Sequence, residues 1–183
     1  MASTYSDLKI ELIGTGDQSG TWGATTNTNL GTAIEEAITG SVDVSFSSAD
    51  VTLTYTDSNA TQSFRNLRLN LTGTSGGART LTVPAIEKQY IVKNGLADTV
   101  TIQNASGTGV DIPAGKSMVV FNDATNVTEV VTHLGTITVG AVTLTTDLAV
   151  ADGGTGASTA SGARTNALRF DNLMTRVGAT YRF

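Results

Sequence analysis

The chain has 183 residues, which is enough for one domain with extensions or for two small modules. Its formal charge is −5, from 11 Lys and Arg against 16 Asp and Glu, and the basic residues are scattered singly, which excludes the electrostatic footprint of a nucleic-acid-binding protein. The absence of cysteine excludes disulfides, thiolate zinc sites and cysteine nucleophiles, and no apolar run approaches the roughly 20 residues that span a bilayer.

Residues 1–40 carry a short predicted strand over 8–13, a glycine-rich turn and one predicted helix. One apolar stripe at helical spacing consists of Leu30, Ala33, Ile34, Ala37 and Ile38. Residues 26–29 offer N-cap candidates, and Gly40 stands where a C′ glycine is expected. A helix of about twelve residues is marginal alone in water, so the stripe is expected to dock on another surface.

Two interpretations of this stripe remain open. In the first, its side chains cover the open end of the β-structure that follows in the chain. In the second, the stripe and the only tryptophan form an anchor on a larger assembly. The attachment residues of the second interpretation are Trp22, Leu30, Ile34 and Ile38.

Residues 41–133 change to a periodicity of two. Strands are predicted over 42–46, 51–55, 64–71, 80–83, 89–93, 100–102, 109–112, 118–121 and 127–131. Clusters of Gly, Asn, Asp and Ser separate them. This spacing predicts a mainly β fold, an antiparallel β-sandwich of jelly-roll-like type, with one short N-terminal helix and a C-terminal extension that packs in an oligomer.

Residues 134–183 form the predicted oligomerisation strand, a glycine-rich joint and a tail. Over 136–150, Thr alternates with aliphatic residues almost without charge, which would make an aggregation-prone edge on a monomer. We therefore expect this strand to pair with copies of itself or with a neighbour. The predicted interface residues are Ile137, Val139, Val142, Leu144, Gly153, Gly154, Thr155 and Gly156, whose glycines permit sharp turns and close approach.

The sequence predicts no catalytic, cofactor or metal site. His133 is the only histidine, and no acid stands in its own motif to complete a triad. The turn from Gly14 to Gly20 lacks the lysine of a phosphate-binding loop. The aspartates in predicted turns are interpreted as turn formers and not as Ca²⁺ ligands. Glycoside hydrolysis requires two carboxylates across a cleft, and sugar-stacking aromatic residues are scarce in this chain.

Two segments carry a resemblance to a known class of proteins. Residues 152–158 read Asp-Gly-Gly-Thr-Gly-Ala-Ser, and Ala-Arg-Thr-Asn follows at 163–166. Near the other end, Gly-Thr-Trp-Gly at 20–23 precedes Asn-Thr-Asn at 27–29. Both segments resemble parts of tail fibres and virion structural proteins of tailed bacteriophages, and the strand–turn pattern over 90–131 resembles small β-sandwich modules of phage tail proteins.

The resemblance implies a non-enzymatic virion structural protein, either a short tail fibre or the virion-attachment part of one. Such a protein is made in the host cytoplasm and is located in the virion tail. Its expected partners are itself, as a homotrimer, and other virion proteins of the tail or neck, with no nucleic acid and no membrane insertion.

Two alternatives stay open at this point. The first is a capsid-decorating, neck or adaptor protein, which would bind capsid or portal proteins. The second is a carbohydrate-binding or depolymerase tail module that acts on host surface glycan, for which Asp123 and Glu129 are the carboxylates to mutate.

Overall fold

A computed structural model describes residues 2–136 of the chain. By its internal contacts the chain divides into two compact units, Met1–Leu134 and Gly135–Phe183. Nearly all described residues belong to the first unit.

The first unit begins with two very short strands and one helix. Strands β1 (Thr4–Tyr5) and β2 (Glu11–Leu12) pair antiparallel. The N-terminal helix follows in three consecutive parts, namely α1 (Trp22–Thr28), a π-helical segment (Asn29–Ile34) and α2 (Glu35–Thr39).

The predicted helix is present, but its two ends differ from the prediction. It begins at Trp22 after Thr21, upstream of the N-cap candidates at 26–29. Gly40 ends it in an extended conformation, with φ −62° and ψ 144°, and not in the left-handed conformation of a C′ glycine. A Cβ atom on Gly40 would overlap the carbonyl oxygen of Glu36 and the side-chain oxygen of Asn66. Close approach of the backbone, and not a positive φ, therefore requires glycine at this position.

Two sheets form the body of the unit. The strands of the first are β3 (Ser41–Ser47), β5 (Arg68–Thr74), β7 (Glu87–Asn94), β10 (Ser117–Asp123) and β11 (Val127–Glu129), in the spatial order β11-β10-β7-β5-β3. The strands of the second are β4 (Val51–Thr52), β6 (Arg79–Thr82), β8 (Val100–Gln103) and β9 (Gly109–Ile112), in the order β4-β6-β8-β9.

Both sheets are mixed, so the prediction of antiparallel pairing is wrong for four strand pairs. β3 pairs with β5, β5 with β7, β4 with β6 and β6 with β8, all in parallel. The pairs β8–β9, β7–β10 and β10–β11 are antiparallel. The physical reason is that successive strands from β3 to β8 belong alternately to the two sheets, so the chain returns to each sheet running in the same direction.

One hydrophobic core lies among the inward-facing residues of the two sheets. Its largest fully buried apolar side chains are Phe46, Leu69, Leu71, Leu81, Tyr90, Val92, Ile102 and Ile112. Alternate residues of each strand supply this core, as in β5, where Leu69 and Leu71 are buried and Arg68 is exposed. The mainly β prediction and the period-two pattern behind it are confirmed.

Strand boundaries differ most just before β5. The strand predicted over 64–71 begins only at Arg68, because residues Ser63–Arg65 form a 3-10 turn. Phe64 and Arg65 are consecutive and both buried, which an alternating strand does not allow.

Candidate functional site

The N-terminal helix presents large apolar side chains to solvent. Trp22, Leu30 and Ile38 are 62%, 57% and 62% exposed, and we call them the exposed helix residues. Ile34 is half-buried, and of the predicted stripe only Ala33 is buried. The prediction of one stripe took 3.6 residues per turn along the whole helix. The π-helical segment Asn29–Ile34 has i→i+5 geometry instead, so residues before and after it that would share one face of an α-helix lie on different faces.

A buried arginine fixes the α2 end of this helix. Arg65 is fully buried, and its Nε donates to Glu36 Oε2 at 2.9 Å. The rest of its guanidinium donates to backbone carbonyl oxygens of Leu8, Lys9, Ser58, Asn59 and Ala60. This Arg65 junction therefore joins α2, the segment before β2 and the loop over 58–60 through charge-assisted hydrogen bonds.

A second set of bonds fixes the middle of the helix. The side chain of Asn29 donates to the carbonyl oxygen of Glu11 at 2.8 Å and accepts from the Glu11 N–H at 3.0 Å. The same Oδ1 accepts from Asn59 Nδ2 at 3.1 Å. The exposed helix residues are thus carried on an element that is attached to β2 and to a loop.

A groove of about 550 Å³ lies at the carboxyl ends of β4, β6 and β8. Residues 52–55, 82–85, 104–106 and 124–125 line it, and none of these residues is charged. We call it the strand-end groove. Parallel strands end on the same side of their sheet, so the parallel pairing places these three strand ends next to one another.

Two buried amides meet at the wall of this groove. Asn122 Nδ2 donates to the Pro84 carbonyl at 2.8 Å, and Asn122 Oδ1 accepts from the Ala124 N–H at 3.0 Å. Asn104 Nδ2 donates to the same Oδ1 at 2.9 Å. Asn104 is only 2% exposed, and its own Oδ1 accepts no hydrogen bond within the part of the chain that the structure describes.

Tyr55 lines the strand-end groove and is 48% exposed. Its ring centroid lies 5.7 Å from that of Phe64 in a tilted arrangement. The ammonium of Lys9 lies 4.4 Å from the ring centroid and pairs with Asp57 at 3.0 Å. These contacts hold the aromatic ring in one orientation beside the groove.

A lysine faces inward on β7. Lys88 is buried, and burial lowers its pKa from the ordinary 10.5 to about 8. Its ammonium lies 5.1 Å from the ring centroid of Tyr90, which is itself buried and donates its hydroxyl to the Phe64 carbonyl at 2.9 Å. Burial also raises the pKa of the Tyr90 hydroxyl well above its ordinary value.

The lowered pKa of Lys88 predicts a pH-dependent contribution to stability. Above pH 8 the folded chain releases this proton, whereas the unfolded chain keeps it up to about pH 10.5. The unfolded state then binds more protons, so stability from this group rises between pH 8 and 10.5. We expect Lys88→Met to raise the free energy of unfolding at pH 7 and to remove its rise between pH 8 and 10.5. Denaturant unfolding of both proteins at pH 7, 9 and 10.5 measures the difference, and a constant difference across pH would contradict the assignment.

The carboxylate of Asp123 accepts hydrogen bonds from the backbone of the turn that follows it. Its Oδ1 accepts from the N–H groups of Asn126 and Thr125, and these bonds hold the pKa of Asp123 below its ordinary value. Glu129 stands opposite Val120, three residues along β10 from Asp123, which is roughly 10 Å of strand. Because this separation is an odd number of residues along the strand, the two side chains leave opposite faces of the sheet, so this pair does not resemble the two carboxylates that flank one bond in a glycosidase site.

Another carboxylate connects two turns. Asp98 Oδ2 accepts from the Ser75 hydroxyl at 2.6 Å and from the Gly77 N–H at 2.9 Å, and these bonds, with Arg79 nearby, hold the pKa of Asp98 below its ordinary value. This contribution to stability is present at neutral pH and is lost as the pH falls through the folded-state pKa.

The described residues contain no group of three or more His, Asp or Glu side chains arranged for a metal ion. Within the same part of the chain, no helix has the length and apolar character needed to cross a membrane. The predicted interface residues Ile137, Val139, Val142, Leu144, Gly153, Gly154, Thr155 and Gly156 lie outside the described residues.

Comparison with known protein families, with curated proteins and with solved structures found no match.

The structure adds two features that the sequence reasoning missed. One feature of the sequence pointed to the Arg65 junction. The two consecutive polar residues Arg65 and Asn66 interrupt the alternation of apolar and polar residues over 64–71. No feature of the sequence pointed to the strand-end groove, because it depends on parallel pairing that places Tyr55, Pro84 and Asn104 side by side.

Proposed function

We propose that the chain is a non-enzymatic bacteriophage virion structural protein, either a short tail fibre or the virion-attachment part of one. It acts by oligomeric assembly onto the tail and not by turnover of a substrate. The resemblance of residues 20–29 and 152–166 to phage tail proteins supports this proposal.

The exposed helix residues are the observation that carries the proposal. Trp22, Leu30 and Ile38 are each more than half exposed, and a stable monomer gains nothing from exposing them. The Arg65 junction and the Asn29 bonds fix the helix that carries them, so its apolar side chains are ready to enter a partner surface with little loss of entropy. Tryptophan is enriched among the residues that dominate such interfaces.

Self-association is the second part of the proposal. The chain forms a homotrimer in which residues 136–150 supply strand surface and the glycines at 153, 154 and 156 permit close approach. In this proposal the two sheets form a β-sandwich, and the C-terminal extension packs in the oligomer. Such burial ties stability to association.

A capsid-decorating, neck or adaptor protein remains the second candidate, because an exposed apolar helix fits a socket on any virion part. Copy number separates the two: a decorating protein is present in far more copies per particle than a tail fibre. The unfavourable geometry of Asp123 and Glu129 counts against a depolymerase.

The helix proposal is tested by removing its apolar side chains. We expect the triple variant Trp22→Gln, Leu30→Gln and Ile38→Gln to fold with an unchanged unfolding temperature, because the three side chains are exposed and Gln favours helix. We expect its copies per particle to fall at least tenfold when it is supplied to a phage that lacks the gene. Quantitative mass spectrometry of purified particles measures this number.

The matched control replaces three exposed apolar residues elsewhere in the unit with Gln, namely Val130, Val131 and Leu134. We expect this control to be incorporated normally. Equal incorporation of both triple variants would show that the helix is not the attachment element, and absence of the wild-type chain from particles would refute the virion assignment.

A further inference from the structure

Asn94 and Gly95 form the only Asn-Gly pair in the chain. Such a pair has a chemistry of its own, because the amide nitrogen of the glycine can attack the side-chain carbonyl carbon of the asparagine. Glycine favours this reaction, since it has no side chain and adopts the backbone conformations that ring closure needs. Whether the pair reacts depends on how the fold holds its two residues.

The reaction needs only water. The Gly95 nitrogen loses its proton and bonds to Asn94 Cγ, the Cγ–Nδ2 bond breaks, and the side-chain nitrogen leaves as ammonia. The result is a succinimide ring, which water then opens at either of its two carbonyl carbons. One opening leaves an aspartate side chain, and the other leaves an isoaspartate, in which the main chain runs through the former side chain.

The fold holds the side chain that would react. Asn94 is fully buried, and its Nδ2 donates to the carbonyl oxygens of Asp98 at 2.9 Å and Ile112 at 2.8 Å. Its Oδ1 accepts from the Leu96 N–H at 2.9 Å. Ammonia cannot leave while Nδ2 keeps these partners inside the protein, so the side chain must first give up its hydrogen bonds.

The fold also holds the attacking nitrogen. The Gly95 N–H donates to the Leu71 carbonyl oxygen at 3.0 Å, across to β5. A Cβ atom at this position would lie 2.8 Å from the same oxygen, so a larger residue would displace the backbone. The fold therefore needs both residues of the pair, Asn94 for its buried hydrogen bonds and Gly95 for this close approach.

Conversion of the pair removes the bonds that hold the turn. An aspartate carboxylate has no N–H to donate, so the carbonyl oxygens of Asp98 and Ile112 would lose their donor and face a buried negative charge. An isoaspartate would lengthen the main chain at the end of β7, where the Asn94 N–H donates to the Lys116 carbonyl at 2.8 Å. Neither product fits the native turn.

We propose that Asn94-Gly95 is a self-modification site that the folded turn protects and that opening of the turn exposes, with water as the only co-reactant. The rate of conversion follows the population in which the turn is open. Each conversion removes a chain from the folded population irreversibly. This site goes beyond the proposed assembly function and does not depend on it.

The test compares two samples of the full chain at the same mildly alkaline pH, one in buffer and one in guanidinium chloride above the unfolding transition. Peptic digestion in acid stops the reaction, and mass spectrometry measures the fraction of Asn94 amide that has become carboxyl. We expect conversion to be at least about a hundredfold slower in buffer, because only the rarely open turn reacts. In guanidinium chloride we expect Asn94 to convert faster than Asn59 and Asn104, which precede alanine.

An exposed Asn-Gly pair is the matched control. Ala114→Asn places an asparagine before Gly115 in the turn that precedes β10, where both positions are exposed. The Lys116 N–H closes this turn by donating to the Pro113 carbonyl at 3.1 Å, so the substitution removes no hydrogen bond. We expect position 114 of this variant to convert in buffer within about tenfold of its rate in denaturant, while Asn94 of the same molecules stays intact.

Refolding tests the product. Chains converted at Asn94 in denaturant and then diluted into buffer are expected to lack the cooperative unfolding transition of the original chain, whereas chains kept in denaturant only briefly should regain it. Asn94→Asp carries a product side chain from synthesis and should show the same loss.

Three results would each overturn the proposal. They are equal conversion of Asn94 in buffer and in denaturant, equal conversion of Asn94 and Asn104 in denaturant, and refolding of converted chains to the original stability. None of these results changes particle incorporation or the mass of the assembled chain, so this proposal and the proposed function are tested separately.

Discussion

Replacing Arg65 with Met is expected to lower the free energy of unfolding by about 3–5 kcal/mol, the range measured when one partner of a buried ion pair is removed. Methionine keeps much of the buried volume but leaves the Glu36 carboxylate without its cation at 2.9 Å. It also removes the Arg65 donor from the backbone carbonyls of Leu8, Lys9, Asn59 and Ala60. Urea unfolding followed by circular dichroism measures the change.

The matched control is Arg68→Met, because Arg68 is an exposed arginine on β5. We expect it to change stability by about 0.5 kcal/mol or less, as surface substitutions do. Glu36→Gln should cost less than Arg65→Met, because the amide oxygen still accepts from Arg65. Similar unfolding free energies for Arg65→Met and Arg68→Met would contradict the Arg65 junction.

Asn94→Leu is expected to destabilise the chain by about 3 kcal/mol, because it removes the partners of three backbone groups. Asn94 is fully buried at the end of β7, and its Nδ2 donates to the carbonyls of Asp98 at 2.9 Å and Ile112 at 2.8 Å. Its Oδ1 accepts from the Leu96 N–H at 2.9 Å. The side chain thus connects the turn after β7 with the end of β9. β9 pairs antiparallel with β8, whereas β8 pairs in parallel with β6.

Asn126→Ala is the control for this prediction. Its side chain also bonds to backbone, accepting from the Thr108 N–H at 2.9 Å, but this bond is exposed to solvent. We expect a loss of about 1 kcal/mol or less, since water replaces the bond. Thermal unfolding of both variants provides the comparison. Equal losses of stability in the two variants would contradict the claim that burial makes the Asn94 hydrogen bonds more stabilising.

The strands were predictable from the sequence because a strand buried on one face alternates apolar and polar residues, whichever strand it pairs with. Each strand predicted between residues 42 and 131 has a counterpart in the structure, and the 109–112 prediction matches β9 in both bounds. The pairing was not predictable from the same pattern. A turn such as the one over 75–78 suits a hairpin equally well, and nothing local shows that it joins strands of two different sheets.

The helix shows a similar limit. The recurrence of Leu30, Ala33 and Ile34 predicted a helix correctly, yet it did not predict the π-helical geometry of Asn29–Ile34. This geometry accompanies tertiary bonds of Asn29 to Glu11, eighteen residues away in the chain. The strand-end groove has the same origin, because Tyr55 and Asn104 meet only after the strands have paired.

Assembly of the chain with copies of itself is the central claim of the proposed function. The direct measurement is the absolute mass of the purified full chain by light scattering, repeated across a tenfold dilution. The account predicts a mass near three times 18.8 kDa that does not change on dilution. A soluble monomer of 18.8 kDa at every concentration would contradict it.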